Sequence, residues 1–105
     1  MSVIMTLRVQ GDPQQFERAA KGNAERTGRI LEMAKSNGLI AHRWYAANGE
    51  FMAVDEWPDV ASFQAFFDGA GDEIGPLMEE AGITADPVPT FWTKMDVGDD
   101  VGWGA

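Results

Sequence analysis

Apolar and polar residues alternate along Ser2 to Gln10. Val3, Met5, Leu7 and Val9 fall on one side, and Ser2, Ile4, Thr6 and Arg8 on the other. A period of two predicts a strand with one wholly apolar face. Gly11-Asp12-Pro13 stops it, with Asp12 as a helix N-cap and Pro13 suited to the first helical position. The period then lengthens to three and four at Phe16, Ala20, Ala24, Thr27, Ile30, Leu31 and Ala34. That spacing predicts one amphipathic helix to about Ser36, with Gly22 and Gly28 as weak points where it bends or is closely approached. Glu17–Lys21 and Glu25–Arg29 stand four residues apart in the favourable order, and Gly38 suits a left-handed cap.

Leu39 to Ala47 reads as a second strand and Glu50 to Trp57 as a third, joined by the hairpin signal Asn48-Gly49. Pro58 ends the third strand, and Asp59 caps a helix whose apolar stripe is Val60, Phe63, Phe66 and Phe67. Gly69, Gly71, Gly75 and Pro76 predict an irregular stretch, followed by one helical turn over Leu77 to Ala81. Thr84 to Pro89 reads as a loop, and Thr90 to Asp96 as a fourth strand. Val97 to Ala105 reads as a flexible, glycine-rich, acidic tail that carries Trp103.

The β-α-β order occurs twice. This is the α+β class with the split βαβ, ferredoxin-like arrangement: one four-stranded antiparallel sheet with both helices on one face, in a single domain over 1–105. The second and third strands are apolar on both faces, so the sheet's other face also needs cover. A second copy supplies it most cheaply, which predicts a homodimer burying on the order of 2,000 Å².

Composition narrows the chemistry. The net charge is −9, from 17 acidic and 8 basic residues, which argues against nucleic acid or an anionic membrane surface as a partner. Seven of the 8 basic residues lie at or before Arg43, while 13 of the 17 acids lie from Glu50 onward. That asymmetry reads as two solvated faces of opposite sign, or as complementarity between subunits. There is no cysteine, hence no disulfide and no thiolate nucleophile or metal ligand. With a single histidine, no metal site and no cofactor are expected. Met1 to Met5 lacks a basic n-region, and no apolar run is long enough to span a bilayer, so the expected location is the cytoplasm.

A two-residue turn at Asn48-Gly49 sets the register of its hairpin. Tyr45 then faces Met52, Trp44 faces Ala53, Arg43 faces Val54 and His42 faces Asp55, with Trp44 and Trp57 flanking on the same side. Arg43 is also placed diagonally from Glu56, within reach of a salt bridge. His42–Asp55 is either a base held in place by its carboxylate or a satisfied cross-strand pair with no chemistry. Trp44, Trp57, Phe66, Phe67 and Trp92, with Phe63 and Phe91, either line a pocket for a flat ligand or fill the core. Arg8 is a candidate for an anionic ligand group or for a rim salt bridge.

Asp55-Glu56-Trp57-Pro58-Asp59, followed by Phe63 and Phe66-Phe67, resembles the strand-to-helix segment of the dimeric α+β barrel superfamily, in its antibiotic-biosynthesis-monooxygenase-like branch. The resemblance implies a dimer with a pocket between each sheet and its own helices. That pocket would take a polycyclic aromatic, a quinol or a haem, and in some members substrate is oxidised by dioxygen without metal or flavin. At the position of Phe66, quinol-oxidising relatives often carry histidine and haem-degrading ones tryptophan. Haem-degrading relatives also use a histidine further along the helix, and none follows His42 here. The resemblance implies an oxidation of phenols or quinols, but phenylalanine at 66 leaves it without its usual residue; His42, held by Asp55 in the hairpin register, would have to take that place, with Trp44, Trp57 and Phe66 around the ring. A non-catalytic dimeric binding or accessory protein is the alternative.

Overall fold

The computed structural model describes residues 1–103; the last two residues of the acidic tail lie outside the described residues. The elements run in the order β1 (Val3–Gln10), α1 (Pro13–Gly22), α2 (Ala24–Ser36), β2 (Ala41–Ala47), β3 (Glu50–Trp57), α3 (Val60–Glu80) and β4 (Val88–Trp92). The strands form one antiparallel sheet in the order β2-β3-β1-β4, the ferredoxin-like topology expected. Met5, Leu7 and Val9 of β1 and Phe51, Ala53 and Trp57 of β3 are buried on one face, against Phe16, Ala34, Phe63, Phe66, Ala70 and Leu77 of the helices.

The first helix is two. Asn23 breaks it one residue after Gly22; its φ/ψ of −123°/53° is not helical, and its side-chain amide donates to the Ala19 carbonyl at 3.2 Å. Gly28 stays helical within α2. At the far end Gly38, at φ +101°, closes a Schellman motif, with Leu39 N–H donating to Ala34 and Gly38 N–H to Lys35. The hairpin has the predicted register, Ala47 opposite Glu50. Only Gly49 takes a positive φ, +77°, so the turn is not the type with two left-handed residues.

The stretch from Gly69 to Pro76 is not irregular: α3 runs unbroken through it. Phe63, Phe66, Ala70, Leu77 and Ala81 recur at three- to four-residue steps and are all buried, with half-buried Ile74 between them. Burial of that stripe outweighs the poor propensity of its glycines and proline. Gly69, Gly71 and Gly75 are exposed on the opposite side, and Gly75, lacking a Cβ, relieves the clash that Pro76 imposes on the residue before it. The fourth strand also begins earlier and ends sooner than expected. It includes Pro89, which β4 tolerates because it is an edge strand with one side free of the ladder.

Ion pairs differ in part from the expected set. Glu17–Lys21 is formed at 2.8 Å, but Arg29 turns from Glu25 to Glu73 on α3, which also receives Arg26 at 3.1 Å. The hydrogen bond from Arg29 holds the Glu73 carboxyl below its usual range. Arg43 and Glu56 do not pair: Arg43 donates to the Tyr45 hydroxyl at 3.4 Å, and Glu56 accepts from Ser2 at 2.5 Å.

The sheet's outer face remains uncovered within the chain. Ile4, Tyr45, Val88 and Trp92 are exposed there, beside half-buried Met52 and Val54.

A Cβ added at Gly69 or Gly71 meets no atom within 4 Å. Gly69→Ala and Gly71→Ala should therefore each stabilise the chain by about 0.4–1 kcal/mol, read as a raised denaturant midpoint at unchanged slope.

Candidate active site

Asp55 is the one buried charged residue among the described residues, and it stands on the helix-covered face between Ala53 and Trp57. A carboxylate there must be paired or hydrogen-bonded, because taking it out of water unpartnered is costly. Both its oxygens are engaged. Oδ1 lies 2.6 Å from His42 Nδ1, and Oδ2 accepts from the Trp57 indole N–H at 3.1 Å. The register predicted from the Asn48-Gly49 turn brings the pair together, with His42 directly across from Asp55.

The pairing also decides the tautomer. An ionised carboxylate only accepts, so the proton of a neutral His42 sits on Nδ1 and Nε2 carries the free lone pair. No hydrogen-bond partner of Nε2 is found among the described residues. The His42 side chain is 30% exposed against 7% for Asp55, because β2 is an edge strand and the helices cover β3 better than β2. Trp44, two residues along, meets the His42 ring edge-on at 5.8 Å and leans on Phe16 at 4.7 Å.

His42, Asp55 and Trp44 border a cavity of about 250 Å³ between the sheet and the helices. β1 contributes Met5 and Leu7 to its floor. α2 contributes Thr27, Ile30 and Leu31, and α3 contributes Phe63, Phe66, Phe67, Ile74 and Leu77. Thr27 spends its hydroxyl proton on the Ala20 carbonyl, at 2.9 Å. The volume lies just below the roughly 300–1,000 Å³ usual for ligand pockets. Among the described residues no group of acids and histidines could hold a metal ion.

Of the residues expected to bind a ligand, Trp44, Phe66 and Phe67 line this cavity. Trp57 does not. It is fully buried behind Asp55, stacked on Phe66 with ring centroids 5.5 Å apart. Trp92 and Arg8 are on the wrong side of the sheet for this cavity. Trp92 pairs with Ile4 on the outer face, half exposed, and donates its indole N–H to Thr6 at 2.8 Å. Arg8, also on that face, grips Glu50 at 2.9 and 3.2 Å and holds the Glu50 carboxyl below its usual range. The rim salt bridge is thus the arrangement found. The α2 wall and the α3 wall beyond Gly69 were not foreseen as cavity lining. The spacing of Thr27, Ile30 and Leu31 was the available signal for the first; the glycines hid the second.

No family model and no curated protein matches the sequence. Solved structures do match. A dimeric ferredoxin-like protein from an uncultured marine organism superposes with a TM-score of 0.66 at 14% identity, over 95% of this chain and 93% of that one. SnoaB, a cofactor-independent oxygenase from Streptomyces nogalater, gives 0.63 at 14% identity over 94% and 98%. A monooxygenase from the gene ActVA-Orf6 of Streptomyces coelicolor, solved with the ligand nanaomycin D, gives 0.64 at 16% identity over 96% and 92%. The chain has the fold of the antibiotic-biosynthesis-monooxygenase-like proteins, as the resemblance at Asp55–Phe67 implied.

Trp57→Phe keeps the ring but leaves Asp55 Oδ2 without its donor inside the core. It should cost about 1–3 kcal/mol in chemical denaturation, whereas Trp92→Phe, with its donor bond at the exposed surface, should cost less than half as much.

Proposed function

We propose that this chain is a cofactor-independent oxygenase acting on a phenol or quinol, with His42 as the general base and Asp55 as the group that orients it. The observation that carries the reading is the position of the pair. One imidazole, its Nδ1 occupied by a buried carboxylate, borders an otherwise apolar cavity in the fold of known oxygenases. Nε2 takes the phenolic proton, and Asp55 stabilises the imidazolium that forms. The resulting phenolate then passes an electron to dioxygen, a step the neutral phenol performs poorly. Trp44, Phe66 and Phe67 hold the ring. A base so placed contributes about 10²–10⁴ in rate.

Turnover of an anthrone or a naphthoquinol under air tests this. His42→Ala should lower kcat by about 10² or more, with KM changed far less. Equal rates for wild type and variant would remove His42 from the reaction. The second reading is a binding protein without catalysis. It is favoured by the cavity's size, about 250 Å³, and by phenylalanine at position 66. Binding of the same compounds with no oxygen consumption by wild type would establish it.

The active form in this proposal is a homodimer. The exposed apolar outer face, with Ile4, Tyr45 and Trp92, is the surface a second copy would cover. Val101 and Trp103 of the tail are also exposed, and Asp100 pairs with Lys94, just after β4, at 2.5 Å. Sedimentation at micromolar concentration should show a dimer, and deletion of residues 98–105 should raise its dissociation constant about tenfold or more. A monomeric wild-type protein would overturn the dimer, and an unchanged constant would remove the tail from the interface.

A further inference from the structure

We infer that Trp57 is a positioning residue for His42. Its indole N–H, held fast in the core, sets which way the side chain at position 55 faces, and through it which imidazole nitrogen is left free. This role deepens the proposed function, because it names the group that keeps Nε2 available as a base, and it rests on that reading only where turnover is measured.

Three observations carry it. First, two donors converge on one side chain. Asp55 meets His42 Nδ1 at 2.6 Å through Oδ1 and the Trp57 indole N–H at 3.1 Å through Oδ2. An indole N–H only donates, and a carboxylate accepts at both ends, so aspartate satisfies both neighbours.

Second, the two donors are not held equally. Trp57 is fully buried, stacked on Phe66 with ring centroids 5.5 Å apart and edge-on to Phe63 at 5.7 Å. It lies on β3, a strand paired on both sides, and its aromatic neighbours fix the direction of its N–H without help from Asp55. His42 lies on the edge strand β2, with its side chain 30% exposed. Trp57 is therefore the rigid end of the series of bonds, and the imidazole is the end that adjusts.

Third, Trp57 does not line the cavity, whereas His42 and Asp55 do. It reaches a ligand there only through those two residues.

An asparagine at position 55 separates the two ends, since its amide has one accepting oxygen and one donating NH₂. With Trp57 setting the direction, the oxygen turns to the indole and the NH₂ to His42 Nδ1. That nitrogen must then accept, so the imidazole proton moves to Nε2. The reverse orientation leaves the indole N–H and the amide NH₂ facing each other unpaired in the core, which disfavours it about tenfold or more. Phenylalanine in place of Trp57 removes that penalty, and an aromatic face accepts an amide N–H weakly.

His42 is the only histidine, so nitrogen-15 spectra of its neutral side chain report one tautomer ratio, with no substrate present. Wild type should carry the proton on Nδ1. Asp55→Asn should carry it on Nε2 in about nine molecules of ten or more. Adding Trp57→Phe to Asp55→Asn should return a share to Nδ1 that is larger by a few-fold or more. Turnover of a naphthoquinol should follow: Asp55→Asn lowers kcat about 10² or more, and the double variant regains about tenfold over the single one at a KM within a few-fold. The same tautomer ratio in both asparagine variants would overturn the inference. Should the double variant fail to fold, Asp55→Asn decides. Nε2–H with the indole proton still at its hydrogen-bonded chemical shift supports the inference, and Nδ1–H overturns it. The expected tautomers in a protein that turns over no quinol would leave the inference standing and remove only the oxygenase reading.

Discussion

Asp55 is the constraint around which the site is built. A carboxylate buried on the helix-covered face persists only if both oxygens are satisfied, and the chain satisfies them with one neighbour on the next strand and one on its own. That requirement fixes the His42 tautomer, orients the imidazole along the cavity wall and explains why Trp57 sits behind the carboxylate. It also ties the pair to the hairpin. A slip of one residue between β2 and β3 would send His42 to the outer face and leave Asp55 stranded, so the Asn48-Gly49 turn is part of the site although it lies well away from it.

The same sheet does two jobs on its two faces. The helix face encloses the cavity, and there the polar residues are few and paired. The outer face mixes apolar residues with one bidentate ion pair, Arg8–Glu50, and a tryptophan–threonine hydrogen bond. These polar contacts are satisfied within the chain, whereas Arg43 on the same face meets only the Tyr45 hydroxyl. The salt bridge at the surface contributes little to stability; its effect is to neutralise one charge of that face.

Cavity and helix share a further dependence on α3. Two of the lining residues, Ile74 and Leu77, lie past Gly69 and Gly71 and flank Gly75-Pro76. Had the helix stopped at Gly69, as its composition suggests, the cavity would have lacked these lining residues. The buried stripe from Phe63 to Ala81 holds the helix together there, and the glycines face outward where no packing is lost.

What could be read from the chain by itself was whatever local chemistry dictates: the period of each strand, the caps at Asp12, Asp59 and Gly38, and above all the pairing of His42 with Asp55, since a two-residue turn leaves no freedom of register. The break at Asn23, the unbroken course of α3 through Pro76 and the limits of β4 depended on burial, which no local window reports. The parity of Trp92 was open for a related reason. β4 returns to β1 only after a long crossover, so no turn ties its register, and only the assembled sheet put Trp92 beside Thr6. The cavity, too, is a product of three helical segments meeting one sheet, and it exists only when those layers are in place.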